Sequence, residues 1–437
     1  MAVPARLYLD TARLGLMSPS AQLAAGDFVR LAGEDAFTLY FDQFLSAGAK
    51  CWPDRWLNDY PGLAKWPGIA GLKAALRALV CIESELPVLL ASRSAWLMQY
   101  AARLLFHKCE RVLVTDSDWP AYREILLRER RRASRDVATV TIREDVLNGA
   151  VDEEEAVRRV CSTYRDQRCD GLFLTAVSNL GIRLPVRRIV QTIQERHHLH
   201  FVVVDGAQEF AHAPTTLGEG FCDLYLTGCH KWLRAHQPMG VAFCSHERSK
   251  RLIEQSILRH CCSATVVDPL LRFLQQSESD ELNMMTETTN ITPLFSCHGA
   301  ILDVLSERRQ RDAEFWTRLT NAADLAHAIV GSGWTPILPH RDFRSGILLL
   351  QGIGSATRSK SPQALRHFCL THGIAITAYD DGLIRLSMPS RYWRVDEFSQ
   401  ICTVLQSAAR VSIDATKSDT FVPNTVTGFE DCDFRDG

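Results

Sequence analysis

The chain has 437 residues, a formal net charge of −2, and a composition that is 46% hydrophobic and 23% charged. These values are typical of an ordinary globular protein and exclude a bulk electrostatic attraction to nucleic acid or to a membrane. A chain of this length usually exceeds one hydrophobic core, so we expect a large domain and a small domain.

The start of the chain and its cysteines favour a cytoplasmic location. Met1 to Leu9 contains no basic segment followed by an apolar one, which argues against a secretory signal, and no stretch is long and apolar enough to span a bilayer. The 14 cysteines are scattered and form no C-x-x-C pair, which fits reduced thiols better than a disulfide framework. No metal site is predicted, since small buried side chains are favoured over metal ligation for two groups of cysteines, Cys261 with Cys262 and Cys222 with Cys229 and Cys244.

Between residue 85 and about residue 245, short β-rich runs alternate with longer amphipathic runs. This pattern predicts successive βα units and a mostly parallel sheet. One run, Phe201 to Asp205, is almost wholly apolar, as expected for a central strand covered on both faces. The predicted strands are Pro87 to Ala91, Arg111 to Thr115, Thr139 to Ile142, Gly171 to Thr175, Phe201 to Asp205, Leu224 to Thr227 and Gly240 to Cys244.

Predicted helices between these strands repeat apolar residues at three- and four-residue spacing, so they should cover the sheet. They are Ala95 to His107, Ala121 to Arg132, Glu153 to Arg165 and Val186 to Arg196. A helical stretch from Thr292 to about Gly331 then leads into a small α/β domain, with strands in Gly346 to Gln351, Ala375 to Ala378 and Leu383 to Leu386 and a helix around Pro362 to His372. We therefore predict a small domain formed by residues 1–30 and 291–412, a large domain from 31 to 290, and a loose tail from 413 to 437.

The most informative segment runs from the central strand to a lysine. Residues 202–208 read V-V-V-D-G-A-Q, and residues 223–233 read D-L-Y-L-T-G-C-H-K-W-L. A carboxylate at the end of a buried strand is costly unless a cation meets it, so Asp205 should face a cationic group where ligands bind in open α/β sheets. Pyridoxal phosphate needs an acid for its ring nitrogen and a lysine for its imine, which Asp205 and Lys231 would supply. Alone, Asp205 is more often a cap or turn residue and Lys231 a surface residue, but their joint arrangement favours the cofactor site.

This arrangement resembles the fold-type I enzymes of the class V aminotransferase family, which includes cysteine desulfurases, kynureninase, isopenicillin N epimerase-like proteins and C–S lyases. The resemblance covers about residues 5–405, with specific motifs between Ser92 and Lys231 and at Arg385. It implies an α/β fold with a mostly parallel seven-stranded sheet between helices and a small C-terminal α/β domain. It also implies that Lys231 carries pyridoxal 5'-phosphate as a Schiff base beside His230, while Asp205 pairs with the pyridinium nitrogen and Gln208 hydrogen-bonds the ring oxygen.

Three further segments correspond to the family's cofactor site. Ser94 and Ala95 lie where the family has a helix start that holds the phosphate, and free amide groups there bind anions. Trp119 takes the place of the family's ring-stacking residue, the alternative being a core tryptophan. Asn179, in the short motif S-N, should approach the cofactor or the substrate. Thr288 resembles a threonine that reaches the phosphate across the subunit boundary in family dimers, so a homodimer is expected.

A C-terminal motif implies the substrate class. Residues 381–387 read D-G-L-I-R-L-S, similar to the family's R-[IL]-S motif, in which the arginine clamps the substrate carboxylate. A guanidinium offers two parallel donors to a carboxylate, so Arg385 implies an α-amino acid; a structural salt bridge is the alternative.

Two departures from the family pattern limit the assignment. Gly228 stands where many relatives have a phosphate-binding serine, and Thr227 is the candidate replacement. No cysteine lies between Gly373 and Arg385, which disfavours desulfuration through a protein persulfide.

Chemistry at Cα has several outcomes that the sequence leaves open. Transamination is favoured by a small margin, with a C–S or β-lyase or an amino-acid epimerase next. A non-catalytic binding member of the fold is a third hypothesis. A nicotinamide-dependent enzyme is disfavoured because the first βα turn lacks the glycine-rich sequence.

Overall fold

The structure of the chain, a computed structural model, describes residues 7–34, 38–82, 85–262, 268–279, 288–306 and 311–410. The predicted tail, residues 413–437, lies outside these ranges. Side chains of residues 38–42 and 260–262 are also outside the description, and these include Cys261 and Cys262.

Helices and strands largely alternate from β2 to α10, as predicted for residues 85 to about 245, and a group of helices precedes this region. The helices are α1 Pro19–Glu34, α2 Thr38–Ala47, α3 Asp54–Asp59, α4 Gly68–Leu79, α5 Ser94–Lys108, α6 Pro120–Ala133, α7 Arg143–Leu147, α8 Glu153–Asp166, α9 Val186–Gln194, α10 Glu247–Cys262, α11 Pro269–Glu278, α12 Thr292–Ser306, α13 Arg311–Ala328, α14 Ser355–Arg358, α15 Pro362–Thr371 and α16 Val395–Arg410. The strands are β1 Leu7–Tyr8, β2 Val88–Ala91, β3 Arg111–Thr115, β4 Asp136–Val140, β5 Gly171–Thr175, β6 Phe201–Asp205, β7 Leu224–Gly228, β8 Gly240–Cys244, β9 Trp334–Ile337, β10 Ile347–Gly352, β11 Ile374–Ala375, β12 Thr377–Ala378 and β13 Leu383–Ser387.

A seven-stranded sheet forms the centre of the large domain. Its strand order is β2-β8-β7-β6-β5-β3-β4, with β8 antiparallel to both neighbours and the remaining pairs parallel. The prediction of a mostly parallel seven-stranded sheet is therefore confirmed. Strands β5 to β8 are buried at every position, which explains their almost continuous apolar sequence.

The edge strand β4 differs most from its prediction. It spans Asp136–Val140, whereas the sequence pattern placed it at Thr139 to Ile142. Four of its five residues are exposed or half-buried and it pairs only with β3, so its sequence lacks the apolar run that marks the central strands.

A second, smaller core surrounds a four-stranded antiparallel sheet of order β12-β13-β10-β9, and β1 pairs in parallel with β11 beside it. Leu7 and Leu9 belong to this core, so the start of the chain does pack with the C-terminal elements. Helix α12 packs against α1 in the first core, however, and only the second half of α13 joins the second core. The first core thus extends through α12, and Phe343 also belongs to it.

Within the described ranges, no helix is long and apolar enough to cross a membrane. The same residues contain no group of three or more histidine, cysteine or acidic side chains arranged to hold a metal ion.

Candidate active site

Asp205 and Lys231 meet at the carboxyl end of the central sheet. Asp205 is the last residue of β6, and Lys231 follows the neighbouring parallel strand β7 by three residues. Asp205 is 4% exposed and its Oδ1 accepts a hydrogen bond from the amide of Ala207 at 2.9 Å. Burial raises the pKa of Asp205, while the nearby Lys231 and the Ala207 amide lower it.

Burial is also the main influence on the Lys231 amine. It lowers the pKa of Lys231 to about 8, with the positive charge of Arg385 acting in the same direction and Asp205 opposing it. Near neutral pH roughly a tenth of an amine with this pKa is neutral, a far larger fraction than for an ordinary lysine, and only the neutral form attacks a carbonyl group. Lys231 is thus suited to form an imine.

The pH dependence of imine formation follows from this lowered pKa. We expect the rate at which cofactor-free protein reacts with pyridoxal phosphate to rise with pH, with a midpoint near the Lys231 pKa of about 8. Arg385→Gln should move the midpoint to higher pH because it removes a charge that disfavours the ammonium form. Stopped-flow absorbance across neutral and alkaline pH measures both values, and a rate independent of pH would contradict the assignment.

The D-G-A-Q turn has a steric explanation. A Cβ atom on Gly206 would overlap the ring of Tyr225, whose hydroxyl donates to Glu209 at 2.9 Å. The turn directs Gln208 into the interior, where its Nε2 donates to the carbonyl of Ala12 and its Oε1 accepts from the indole of Trp232, both at 2.7 Å. Gln208 therefore links the turn to the N-terminal segment and to the residue after Lys231, and one amide N–H has no partner within the described chain.

The N-terminal segment, residues 9–18, covers the loop that contains Lys231. The amide of Gly15 donates to the carbonyl of His230 at 2.7 Å, and the amide of Ser18 donates to the carbonyl of Arg234 at 2.9 Å. A Cβ atom on Gly15 would overlap the carbonyl oxygen of Lys231, so only glycine permits this approach. Sequence analysis missed this contact, because a two-residue strand and a short turn have no periodic pattern.

Gly15→Ala should separate the two segments. We expect it to lower the free energy of unfolding by roughly 1–3 kcal/mol, the usual cost of forcing an extra methyl group into a packed site. Gly26→Ala in α1 is a matched control, since nothing lies within 4 Å of its added Cβ and alanine favours a helix. Urea unfolding of both variants measures their free energies of unfolding. Equal values would show that the N-terminal segment does not pack closely against the Lys231 loop.

The N-terminus of α5 lies at the same edge of the sheet. Ser94 is its first residue and Ala95 its second, and Ser94 acts to lower the pKa of the buried Tyr122, against the raising effect of burial. A Cβ atom on Gly240 would lie 2.6 Å from both the amide nitrogen and the Cα of Ser94, so this glycine lets β8 approach the helix start closely. The charge of Asp205 acts on Tyr122, raising its pKa along with burial, which places Asp205 near this helix terminus.

Trp119 is the N-cap residue that precedes α6 and is 46% exposed, so its interpretation as a core tryptophan is wrong. The preceding residue, Asp118, is buried and its Oδ1 accepts from the hydroxyls of Thr175 at 2.9 Å and Thr115 at 3.2 Å. Burial raises the pKa of Asp118 to about 8, and the charge of Asp205 contributes to the increase. Sequence analysis missed Asp118, although a carboxylate shortly after the buried strand β3 is the same kind of signal that identified Asp205.

Arg385, in β13, extends from the small core to the site. Its Nη1 donates to the backbone carbonyl of Asn179 at 3.0 Å, and its Nη2 donates to the hydroxyl of Thr377 at 3.2 Å. Asp10 lies 3.6 Å from Nη2 and accepts a hydrogen bond from Thr377. The structural ion pair considered from sequence is thus present, with a partner that sequence analysis did not identify, and Arg385 also influences Lys231.

His230 explains why glycine occupies position 228. A Cβ atom on Gly228 would lie 2.9 Å from Cε1 of the His230 ring, so a serine there would press on the histidine. Burial, with a contribution from Lys231, lowers the pKa of His230 to about 4 and keeps its ring neutral. Thr227 is fully buried and its hydroxyl lies 3.5 Å from the carbonyl of Gly206. Thr288 is exposed and has no contact that joins it to this group within the described chain.

The residues at this edge fit pyridoxal phosphate. An acid, a lysine of lowered pKa and the free end of α5 lie together, and an exposed tryptophan follows Asp118. Three buried polar atoms of the same group have no hydrogen-bond partner among the described residues, namely Asp118 Oδ2, His230 Nδ1 and Arg385 Nε. Buried polar groups are normally paired, so these atoms are consistent with a polar ligand at the site.

Comparison with solved structures identifies the fold. C-DES, a cystine C–S lyase, has a structure with glycine covalently linked to its pyridoxal-phosphate cofactor; it matches with a TM-score of 0.67 and 13% identity over 92% of this chain and 97% of C-DES. Alanine–glyoxylate aminotransferase from Nostoc sp. gives 0.64 and 16% over 94% and 97%. The cysteine desulfurase CsdA from Escherichia coli gives 0.63 and 15% over 92% and 94%. At these identities the likeness shows the fold alone.

Comparison of the sequence itself gives the family. A search of curated proteins finds no match. The family profile described as "Aminotransferase class-V" matches residues 91–328, more than half of the chain, and includes β3 to β8 with Asp205 and Lys231. The chain therefore belongs to the class V aminotransferase family.

Proposed function

We propose that this class V enzyme transfers the amino group of an α-amino acid, with pyridoxal phosphate bound to Lys231 as a Schiff base. The observation that carries the proposal is the pair formed by Lys231, whose pKa is lowered to about 8, and the buried Asp205 at the carboxyl edge of the sheet. The bound cofactor would supply an electron sink for negative charge that develops at the substrate Cα.

The residues of the chain have separate tasks in this proposal. Lys231, when neutral, accepts the proton from Cα and can return it to another position. Asp205 holds a proton on the ring nitrogen, since a buried carboxylate is stabilised by a cationic partner. The start of α5 at Ser94 and Ala95 supplies amide donors for the phosphate, and Trp119 covers one face of the ring. The side chains of Asn179, Gln208, Thr227 and His230, and Thr288 of a neighbouring subunit, are the further proposed contacts.

Arg385 is the proposed binding group for the substrate carboxylate. Its contact with Asp10 is 3.6 Å, longer than a charge-assisted hydrogen bond, and its Nε has no partner among the described residues. Arg385 thus combines a buried positive charge, an unused donor and proximity to Lys231.

Arg385→Gln tests this contact. We expect KM for the amino acid to rise about 10- to 100-fold, the effect of losing a charge-assisted hydrogen bond worth about 1.5–3 kcal/mol. Steady-state kinetics with the best substrate gives the value, and Arg131→Met on the exposed surface of α6 is the control. An unchanged KM would assign Arg385 to the ion pair with Asp10 alone.

The central experiment is an absorption spectrum of the purified protein with a panel of amino acids. A visible Schiff-base band that shifts with one class of amino acid, together with formation of the oxo acid and dependence on an amino acceptor, supports transamination. A protein that stays colourless after pyridoxal phosphate is added would support the non-catalytic binding alternative.

Lyase or epimerase activity is the second candidate, because proton removal by Lys231 at Cα is the common first step of all three reactions. Product analysis separates them: a lyase releases the β-substituent without an acceptor, and an epimerase inverts Cα without net loss of the amino acid. Persulfide-forming desulfuration has less support, since no cysteine lies between Gly373 and Arg385.

We also propose that the enzyme is a cytoplasmic homodimer, on the strength of its scattered reduced cysteines and the position of Thr288 in the sequence motif. Light scattering of the purified protein gives the mass in solution. A monomer with full activity would remove the proposed role of Thr288 across a subunit boundary.

A further inference from the structure

Within the described chain, Asp10 of the N-terminal segment is the carboxylate that lies beside Arg385. Its Oδ1 atom is 3.6 Å from Nη2 of Arg385, which is too far for a direct hydrogen bond. Asp10 is 7% exposed and Arg385 is 4% exposed, so water does not surround either group. A third group must therefore set the geometry between them.

The hydroxyl of Thr377 is this third group. Thr377 lies directly opposite Arg385 in the antiparallel pair β12–β13, so the two side chains share one face of the small sheet. Nη2 of Arg385 donates to Oγ1 of Thr377 at 3.2 Å, and Oγ1 hydrogen-bonds Oδ1 of Asp10. A guanidinium can only donate hydrogen bonds, so the hydroxyl accepts from Arg385 and gives its own proton to Asp10. The three residues thus form a hydrogen-bond chain with one direction.

The main chain around Asp10 holds its carboxylate in place. The amide of Leu9 donates to the carbonyl of Ala375 at 2.9 Å, and the amide of Ser387 donates to the carbonyl of Leu9 at 2.8 Å. The amide of Ala12 donates to the hydroxyl of Ser387 at 2.9 Å. These bonds join residues 9–12 to β11 and to the end of β13, the strand that contains Arg385. The carboxylate is therefore fixed relative to Arg385.

The other terminal nitrogen of Arg385 is held from the large core. Nη1 donates to the backbone carbonyl of Asn179 at 3.0 Å. Contacts at both Nη1 and Nη2 fix the plane of the guanidinium before any ligand binds. A long side chain binds a carboxylate more tightly when it is ordered beforehand, because ordering it during binding costs free energy.

We propose that Asp10 and Thr377 are positioning residues, which hold the guanidinium of Arg385 in the orientation that binds the substrate carboxylate. This inference rests on the proposed role of Arg385. Neither residue needs to touch the substrate, since both act through the hydrogen-bond chain. The proposal makes the oxygen atoms of Thr377 and Asp10 essential, and the negative charge of Asp10 dispensable.

The first test compares two variants of Thr377. Spectral titration of the cofactor-bound protein with L-alanine, and with the panel amino acid that shifts the band most, gives the dissociation constant. We expect Thr377→Val to raise it about 3- to 10-fold, the effect of losing one hydrogen bond. Thr377→Ser keeps the hydroxyl and should stay within about 2-fold of the wild type. Thr335→Val, an exposed position on β9 of the same sheet, is the control that leaves the constant unchanged.

The second test compares two variants of Asp10 and remains informative if Thr377→Val does not fold. Asp10→Ala removes the acceptor for the Thr377 hydroxyl and should weaken binding about 3- to 10-fold. Asp10→Asn keeps an oxygen at that place and removes a competing charge, so the amino acid should bind at least as tightly as in the wild type. In all four variants kcat should stay within about 2-fold, because the groups that act on Cα are retained.

A double-mutant cycle shows whether the effect passes through Arg385. Thr377→Val should weaken binding in the wild type and have no further effect in Arg385→Gln, since residues that act as one unit are not additive. The proposal would be overturned by wild-type affinity in both Thr377→Val and Asp10→Ala, by tighter binding in Asp10→Ala, or by serine and asparagine variants as weak as valine and alanine. An unchanged affinity in Arg385→Gln itself is a different result, because it would reject the proposed role of Arg385 and this inference together.

Discussion

Replacing Lys231 by alanine is expected to remove the visible Schiff-base absorption band and to lower turnover by roughly 10²–10⁴-fold or more, the range for loss of a positioned general base. The amine is the group that would both hold the cofactor and accept the Cα proton, so one substitution removes two functions. Its lowered pKa of about 8 is what makes it reactive near neutral pH.

Lys108→Ala is the matched control for this experiment. Lys108 is an exposed lysine at the end of α5, remote from the carboxyl edge of the sheet, so its loss should leave the band and the rate unchanged. Borohydride reduction followed by peptide mass mapping locates the modified lysine directly. Retention of the band in Lys231→Ala, or modification of another lysine, would assign the cofactor to a different residue.

Asp205→Asn is expected to give the second largest loss, about 10²–10³-fold in kcat, the usual effect of removing one preorganised electrostatic group from an active site. An asparagine has nearly the same shape but cannot carry the negative charge that keeps a ring nitrogen protonated. The substitution also removes the charge that opposes the lowering of the Lys231 pKa, so that pKa should fall further. The variant should still bind pyridoxal phosphate, and spectral titration together with steady-state kinetics separates binding from turnover.

Asp118→Asn is expected to reduce activity much less than Asp205→Asn at pH 7. Burial raises the pKa of Asp118 to about 8, so at pH 7 its carboxyl group is largely protonated and uncharged. An amide retains the oxygen that accepts from Thr115 and Thr175. We therefore expect a change in kcat/KM of less than about 10-fold near pH 7, increasing above pH 8 where the carboxyl group ionises. Equal losses in the two asparagine variants at pH 7 would show that Asp118 is ionised in the folded protein.

The central part of the fold was predictable because its residues obey local rules. Six of the seven sheet strands begin and end where the apolar pattern placed them or within one residue, since strands buried on both faces must be almost wholly apolar. The pair formed by Asp205 and Lys231 was equally visible, because a carboxylate at the end of a buried strand is costly unless a cation meets it.

Other features depend on contacts between distant segments, which a single sequence does not show. Asp10 lies beside Arg385 in the structure, but no pattern in the sequence around either residue indicates this contact. The placement of α12 in the large core follows from its packing against α1, and amphipathic periodicity does not reveal which partner a helix will have. A cavity of about 300 Å³ around Arg318 is likewise lined by residues from six separate stretches of chain.

The position of the N-terminal segment has a consequence for how the protein is made. β1 pairs with residues 374–375, and the amide of Ala12 donates to the hydroxyl of Ser387, 375 residues later in the chain. The segment is synthesised well before its binding partners and reaches them only after Ser387 has been made, and such distant pairings form slowly. The N-terminal segment should therefore be among the last parts of the protein to pack against the Lys231 loop. In a ribosome-bound chain that lacks the C-terminal elements, Lys231 should be exposed to solvent.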